Sequence, residues 1–164
     1  MKSLYLTGGA MGVGKTTTCQ HLKKTLPNAV LLDGDWCWDA TPSRITDETK
    51  QMVIDNICYL LNNFIHCSAY ENIVFCWVVH EQRIIDTIAA RLDTRHCRIK
   101  AVSLICTETW LKERLDRDIH RGVRSGDVIK RSLARLPQYT LLSTQKIDTS
   151  QCSAETAAAL IARL

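Results

Sequence analysis

The segment from Gly9 to Thr16 reads G-A-M-G-V-G-K-T and matches the phosphate-binding pattern G-x-x-x-x-G-K-[ST]. Glycines let a backbone curl around a phosphate, so that successive N–H groups point at the anion. Lys15 would then reach the β- and γ-phosphate oxygens, and Thr16 would place its hydroxyl on Mg²⁺. The pattern predicts a site for a nucleoside triphosphate with Mg²⁺. The residues expected to contact the nucleotide here are Gly9, Met11, Gly12, Val13, Gly14, Lys15, Thr16 and Thr17.

Two acidic residues, Asp33 and Asp35, follow an apolar run and could supply the carboxylates that phosphoryl transfer requires. One carboxylate must hold the metal, and another must accept the proton of the attacking hydroxyl. Alternate residues at a strand end can point to the same side, so we predict that Asp33 serves the metal and Asp35 the proton. The alternative is an Asx turn that only closes the strand, since Asp-Gly pairs are common in turns.

Residues that contact the acceptor substrate are expected close to these carboxylates. Trp36 and Trp38 come directly after Asp35, where their indoles could form a wall for a flat substrate or pack against the next helix. Arg44 could meet an anionic substrate or lie exposed on the surface. His80 follows the third apolar run, where it is either a substrate contact or a packed polar group. We predict that Asp35, Trp36, Arg44 and His80 bind the acceptor.

The segment 108–135 is rich in charge, with eight lysines or arginines and five acidic residues. Arg117, Arg121 and Arg124 are spaced i, i+4 and i+7, so their guanidinium groups share one face of a helix. Such a face becomes favourable when polyphosphate charge reaches it, as in a lid that closes over a nucleotide. We predict a lid at about residues 117–137, with the three arginines in catalysis. The alternative is a solvated helix with salt bridges.

The elements that position these residues alternate between strand and helix along the chain. This order is typical of a parallel sheet with helices on both faces. The third apolar run lacks an acidic residue at its end, so the second strand must supply the metal-linked carboxylate. The predicted strands are 4–6, 29–32, 73–79, 99–105 and 146–149. The predicted helices are 17–26, 46–67 and 81–92. Two more helices are predicted to begin at caps, one after Thr107 and one after Ser153 that runs to residue 164.

Length and composition limit the classes of protein that fit. A chain of 164 residues with 46% apolar residues is expected to form one domain, 1–164. The net charge of +4 favours anionic partners, which nucleotides already provide, so nucleic acid is not required. The eight cysteines contain no C-x-x-C pair, so we expect reduced thiols rather than disulfides or a metal site. We expect a cytoplasmic protein without a leader or a membrane span.

Four runs together resemble one family: the phosphate loop, L-D-G-D at 32–35, L-K-E-R-L-D-R at 111–117 and I-D-T-S at 147–150. They look like the nucleoside-monophosphate-kinase-like group of P-loop phosphotransferases. That group includes adenylyl-sulfate kinase, gluconate kinase, shikimate kinase, chloramphenicol phosphotransferase and the kinase module of polynucleotide kinase. The resemblance covers nearly the whole chain, and the phosphate loop is its most specific part.

The resemblance implies an α/β fold, a P-loop NTPase three-layer α/β/α sandwich with a five-stranded parallel sheet and a helical lid. It implies an ATP-dependent kinase that transfers the γ-phosphoryl group to a small-molecule or nucleotide acceptor. Lid arginines, with Arg117 also on the nucleotide, would assist transfer. The loop after the last strand would contact the nucleotide base, which points to Thr149, Ser150 and Gln151.

Two other functions share a phosphate loop. A regulatory NTP-hydrolysing switch would carry D-x-x-G and [NT]-K-x-D motifs. The sequence has no D-x-x-G, and its nearest approach to the second motif is Q-K-I-D at 145–148. A polynucleotide 5′-end kinase is compatible with the basic charge, but no dedicated basic patch stands out. The acceptor and the oligomeric state are left open by the sequence.

Overall fold

Five parallel strands form the sheet of this protein, whose computed structural model describes residues 1–122 and 127–164. The strands are β1 (Lys2–Gly9), β2 (Ala29–Asp33), β3 (Asn72–Cys76), β4 (Cys97–Ile105) and β5 (Gln145–Asp148). Their order in the sheet is β2-β3-β1-β4-β5. Every neighbouring pair is parallel, as the alternation of apolar runs and amphipathic runs predicted.

Helices connect the strands and cover both faces of the sheet. The described helices are α1 (Lys15–Thr25), α2 (Asp47–His66), α3 (Gln82–Ala90), α4 (Glu108–His120), α5 (Val128–Leu141) and α6 (Ala154–Ala162), with a 3₁₀ turn at Gly34–Cys37. Together with the strands they confirm the predicted α/β class.

The sheet separates two apolar clusters, because successive side chains of a strand point to opposite faces. Leu4 and Leu6 of β1 face the cluster formed by α2, α3, α4 and α5. Tyr5 faces the other cluster, to which α1 and α6 contribute. Both faces of the central strands are therefore buried, which explains why the strands are apolar throughout.

Two predicted helix starts are confirmed by side-chain caps. The Thr107 hydroxyl accepts a hydrogen bond from the Trp110 N–H at 3.3 Å, and the Ser153 hydroxyl accepts one from the Thr156 N–H at 3.1 Å. These bonds satisfy N–H groups that the first turn of a helix leaves without a partner. The caps fix where α4 and α6 begin, beside the carboxyl ends of β4 and β5.

The third strand is shorter than predicted, since β3 ends at Cys76 and not at residue 79. The Trp77 N–H still donates to the Thr7 carbonyl, at 3.2 Å, but the Val79 N–H donates back to the carbonyl of Trp77, at 3.0 Å. A hydrogen bond between residues i and i+2 turns the chain sharply, so the backbone leaves the sheet here. The prediction was wrong because the apolar side chains beyond β3 pack into the core, while their backbone does not continue the pairing between strands.

All eight cysteines are free. Among the described residues, no cluster of His, Cys, Asp or Glu is large enough to form a metal centre of its own. Within residues 1–122 and 127–164, no helix is long and apolar enough to cross a membrane.

Gly34 permits a close approach between the 3₁₀ turn and the residue after β3. A Cβ atom on Gly34 would lie 2.5 Å from Cγ and 2.6 Å from Cδ1 of Trp77. Real Cβ atoms do not tolerate such distances, so the indole or the turn would have to move. The indole of Trp77 is 8% exposed and belongs to the core, which leaves it little room to shift.

We therefore expect Gly34→Ala to destabilise the protein by about 1–3 kcal/mol, the usual effect of overpacking a core. Urea unfolding measures this as a lower midpoint with an unchanged slope. Asp39→Ala, at an exposed position five residues later, is the control and should stay within about 0.5 kcal/mol of the unmodified protein. An unchanged midpoint for Gly34→Ala would contradict the close packing against Trp77.

Candidate functional site

Two glycines of the phosphate loop adopt backbone angles that L-residues rarely adopt. Gly12 has φ of 87° and Gly14 has φ of 100°. A Cβ on Gly12 would also lie 2.5 Å from Cδ2 of Leu115, a buried residue of α4. Gly12 therefore meets two requirements at once, a left-handed backbone and contact with α4. The loop ends at Lys15, where α1 begins and presents its N-terminus to the anion site.

The loop encloses a cavity of about 270 Å³ at the carboxyl edge of the sheet. Four parts of the chain meet there: the loop with the start of α1, the end of β2, the segment after β3, and α4. A volume of this size is near the lower end for small-molecule sites. The lining residues are Met11, Gly12, Gly14, Lys15, Thr16, Thr17, Asp33, Asp35, Val78, Arg114 and Asp118.

Lys15 is the cation at the base of the cavity. Its Nζ donates to the carbonyl of Ala10, at 3.0 Å, within the same loop. Burial lowers the pKa of Lys15, while Asp35 and Asp33 act in the opposite direction. A phosphate group would add negative charge beside the ammonium and favour its charged form. The side chain is thus held where an anionic ligand would stabilise its charged form.

Thr16 and Asp33 bring together the oxygen atoms expected around a metal ion. The Thr16 hydroxyl donates to Oδ2 of Asp33 at 2.8 Å, and Oδ1 of the same carboxylate accepts the Asp35 N–H at 3.1 Å. Mg²⁺ prefers oxygen ligands and is usually held by one or two protein groups together with phosphates and waters. The hydroxyl and the carboxylate therefore fit Mg²⁺. The bond to Asp35 also shows that the Asx turn considered as an alternative is present, with its carboxylate shared between the turn and Thr16.

On α4, Arg114 lines the phosphate cavity, a position that was not predicted from the sequence. Its Nη2 would lie 3.6 Å from a Cβ on Gly14, and its guanidinium lies over the Trp110 ring, 5.3 Å from the centroid. Leu111 and Leu115 mark the inward face of the helix, and Arg114 lies beside that face. Helical spacing counted from these two leucines could have found it.

The predicted lid arginines lie farther out on the same helix. Arg117 and Arg121 line an adjoining cavity of about 180 Å³ together with Arg114 and Asp118. Arg117 is exposed, and its Nε donates to the carbonyl of Glu113 at 3.3 Å. The third predicted residue, Arg124, lies outside the described residues. Arg114 and Asp118 line both cavities, so the cavity of Arg117 and Arg121, the outer arginines, adjoins the phosphate cavity.

The loop after β5, which holds the residues expected to bind the nucleotide base, lies beside the phosphate loop. Thr149 is buried, and it lines a small cavity with Val13, Trp110 and Cys152. The Ser150 hydroxyl instead accepts a hydrogen bond from the Thr107 N–H, at 2.9 Å. In the part of the chain that the structure describes, Ser150 and Gln151 are not among the residues that line this cavity. Within this loop, Thr149 and Cys152 line the cavity.

The structure does not bring three of the predicted acceptor contacts into the phosphate cavity. Trp36 is 60% exposed, and Arg44 is exposed in the loop before α2. His80 has Nε2 3.4 Å from Glu81 and Nδ1 3.4 Å from the Val78 carbonyl, so it packs as a polar group beside the site. Among the described residues, Asp35 is the predicted acceptor contact that lines the cavity. Their order in the sequence placed these residues near the site but could not show in which direction their side chains point.

Comparison with known proteins gives a family and a fold. Residues 6–130 match a family model described as an AAA domain, and they make up more than half of the chain. No curated protein matches the sequence significantly.

Several solved structures share the fold over nearly the whole chain. The Deinococcus radiodurans tunicamycin resistance protein is 20% identical, with a TM-score of 0.67 over 99% of this chain and 95% of that one. A gluconokinase from Sinorhizobium meliloti 1021 is 17% identical, with a TM-score of 0.67 over 99% and 94%. Shikimate kinase from Acinetobacter baumannii, in complex with shikimate, is 21% identical, with a TM-score of 0.62 over 98% and 90%.

The position of Arg114 predicts a larger effect on nucleotide binding than that of Arg117. Arg114→Ala should weaken binding of Mg-ATP by about tenfold or more, because hydrogen bonds to charged groups contribute about 1.5–3 kcal/mol. Arg117→Ala, one turn away and exposed, should change it by less than about threefold. Isothermal titration calorimetry measures both affinities. Equal losses in the two variants would contradict the assignment of Arg114 to the phosphate cavity.

Proposed function

The chain belongs to the AAA domain family, and from this and its likeness to P-loop phosphotransferases we propose that it is an ATP-dependent kinase. The reaction would transfer the γ-phosphoryl group of ATP to a hydroxyl or phosphate oxygen of a small molecule or nucleotide. Two of the proteins that share the fold are named gluconokinase and shikimate kinase, which supports a small-molecule acceptor.

One observation carries this proposal: two carboxylates at the end of β2 share the cavity of Lys15 and the phosphate loop. Asp33 is within hydrogen-bond distance of Thr16, and Asp35 lines the same cavity two residues later. Nucleotide binding alone does not need a second carboxylate. Transfer to a hydroxyl does, because the proton of the attacking oxygen must be accepted.

We assign each side chain a role in one step. The acceptor oxygen forms a bond to the γ-phosphorus while the bond from that phosphorus to the β,γ-bridging oxygen breaks, so ADP leaves with the electron pair. Asp35 accepts the proton of the acceptor hydroxyl. Lys15 and Arg114 offset charge on the phosphate oxygens, which is the main catalytic requirement of phosphoryl transfer.

Mg²⁺ would be held by the Thr16 hydroxyl and, directly or through water, by Asp33. When bound, it neutralises charge on the β- and γ-phosphates. Asp33 also accepts the Asp35 N–H, so the same carboxylate orients the turn that carries the proton acceptor. Loss of Asp33 would therefore affect both metal binding and the position of Asp35.

The outer arginines support a lid at about residues 117–137. Arg117 and Arg121 line a cavity that adjoins the phosphate cavity, and both cavities share Arg114 and Asp118. Arginine side chains gathered at the entrance would gain most from a bound polyphosphate. We propose that this segment closes towards the nucleotide when both substrates are bound.

Lys15→Met tests the phosphate loop. It removes the charge that faces the β- and γ-phosphates, so turnover should fall below detection while the fold is retained. Lys24→Met, at an exposed position of the same helix, should leave turnover unchanged. A coupled assay for ADP formation measures both. Normal turnover in Lys15→Met would contradict the proposed nucleotide site.

A pair of conservative variants separates the two carboxylates. Asp35→Asn should retain Mg-ATP affinity and slow transfer by about 10² to 10⁴, the range for a positioned proton acceptor. Asp33→Asn should lower the rate and also raise the Mg²⁺ concentration needed for half-maximal activity. Steady-state kinetics across a Mg²⁺ series distinguish these results, with Asp39→Asn as an exposed control. The roles are refuted if both variants keep full specific activity.

Dependence on the acceptor distinguishes a kinase from an NTP-hydrolysing switch. A kinase should consume ATP rapidly only when its acceptor is present, and the product should carry one additional phosphoryl group. ADP release and mass spectrometry of the product should be followed with nucleosides, nucleotides, sugar acids, antibiotics and oligonucleotide ends as acceptors. ATP hydrolysis at the same rate with and without every acceptor would argue against the kinase.

A further inference from the structure

A second cavity, of about 250 Å³, lies between α2, α3 and the residues that follow β2 and β3. Its apolar lining consists of Trp38, Trp77, Val53, Ile54 and Ile84. The proposed reaction requires a site for the acceptor. The phosphate cavity, which must already hold the nucleotide phosphates, has little space left for one. We refer to this second cavity as the indole cavity.

Two indoles form one wall of the indole cavity and are held firmly. The ring centroids of Trp38 and Trp77 are 6.1 Å apart with an interplanar angle of 76°, an edge-to-face arrangement that aromatic pairs favour. Gly34 packs directly on the Trp77 indole, where a side chain would not fit. The wall is therefore formed before any ligand binds, which reduces the entropy lost on binding.

Both indoles are close in sequence to residues that line the phosphate cavity. The backbone N–H of Trp38 donates to the backbone carbonyl of Asp35 at 3.4 Å, and Asp35 is the proposed proton acceptor. Trp77 directly precedes Val78, which lines the phosphate cavity. The two cavities therefore share the same two segments, the turn after β2 and the residues after β3. A molecule in the indole cavity would lie next to the segment that carries Asp35.

The chemistry of the lining favours a flat, unsaturated ring. Indole rings attract other aromatic rings through the complementary charges of ring edges and faces. Val53, Ile54 and Ile84 offer no hydrogen-bonding groups, so a polyhydroxylated molecule would leave hydroxyls without partners against them. The rest of the lining is polar or charged and could contact the polar edge of a ring; it consists of Asp47, Lys50, Gln51, Arg83 and Thr87.

We propose that the acceptor carries a planar aromatic ring, a nucleobase or another aromatic group, and that the indole cavity binds this ring. The proposal rests on the proposed kinase function and specifies its acceptor class. The ring would lie against Trp38 and Trp77, with the hydroxyl or phosphate that receives the phosphoryl group directed to Asp35. Sugar acids and other acyclic polyols should bind less well, because Val53, Ile54 and Ile84 cannot hydrogen-bond their hydroxyls.

Obstruction of the indole cavity tests the proposal directly. Thr87 is exposed on α3 and lines the cavity, so Thr87→Phe would place a ring in it without disturbing the core. Ala90→Phe, three residues later at an exposed position, adds the same side chain and is the matched control. Binding to the full chain is measured by ligand-detected NMR. The probes are adenosine, cytidine and 4-nitrobenzyl alcohol, with D-gluconate as the polyhydroxylated comparison.

We expect at least one ring-containing probe to bind with a dissociation constant below about 1 mM, the upper end of usual KM values. Thr87→Phe should weaken this binding by about tenfold or more, and Trp38→Leu should weaken it as well, because stacking is lost. Ala90→Phe should bind within about twofold of the unmodified protein, as expected for a surface change. Preference between the nucleosides and the benzyl alcohol identifies the source of the ring.

Three results would overturn the proposal: no ring-containing probe binds up to about 1 mM, D-gluconate binds better than all of them, or Thr87→Phe binds as well as Ala90→Phe. Mg-ATP affinity should be unchanged in Thr87→Phe, because this residue does not line the phosphate cavity. Binding of a ring without any phosphorylated product would refute the kinase and leave the ring site standing. The experiments therefore distinguish failure of the proposed kinase function from failure of the proposed ring site.

Discussion

Contact between Gly12 and Leu115 is the constraint on which the site depends, because it joins the phosphate loop to α4 with no space for a side chain between them. A loop that binds phosphate through its backbone needs a fixed conformation, and the buried leucine supports it from behind. The same contact sets the rotation of α4. Arg114, the preceding residue, is thereby directed towards Gly14 and the phosphate cavity.

The order of strands provides the second requirement. Because β3 lies between β1 and β2, these two strands are not neighbours in the sheet. The loop after β1 and the carboxylates after β2 nevertheless lie at the same edge of the sheet. The Thr16–Asp33 hydrogen bond connects the two across this distance. Asp33 is 6% exposed, and a buried carboxylate is costly unless it is hydrogen-bonded, so the bond stabilises this carboxylate as well as the link between the two segments.

Much of this arrangement follows from local sequence. The spacing from Gly9 to Lys15 and the apolar run before Asp33 correctly indicate a loop, a strand end and a parallel sheet. Caps at Thr107 and Ser153 are confirmed for the same reason, since a cap depends on residues only a few positions apart. The placement of arginines on α4 is harder to predict. Helical spacing gives the residues that share a face, but the direction of that face depends on what the helix packs against.

The sequence by itself determined the chemistry of the phosphate loop and the identity of the paired carboxylates, because their residue types and short spacings impose the local geometry. Tertiary structure decided which side chains face which cavity. It placed Arg114 rather than Arg117 against the loop, and it turned Trp36 to solvent while Trp38 packed against Trp77. Such directions follow from contacts between segments far apart in the chain, which no local pattern records.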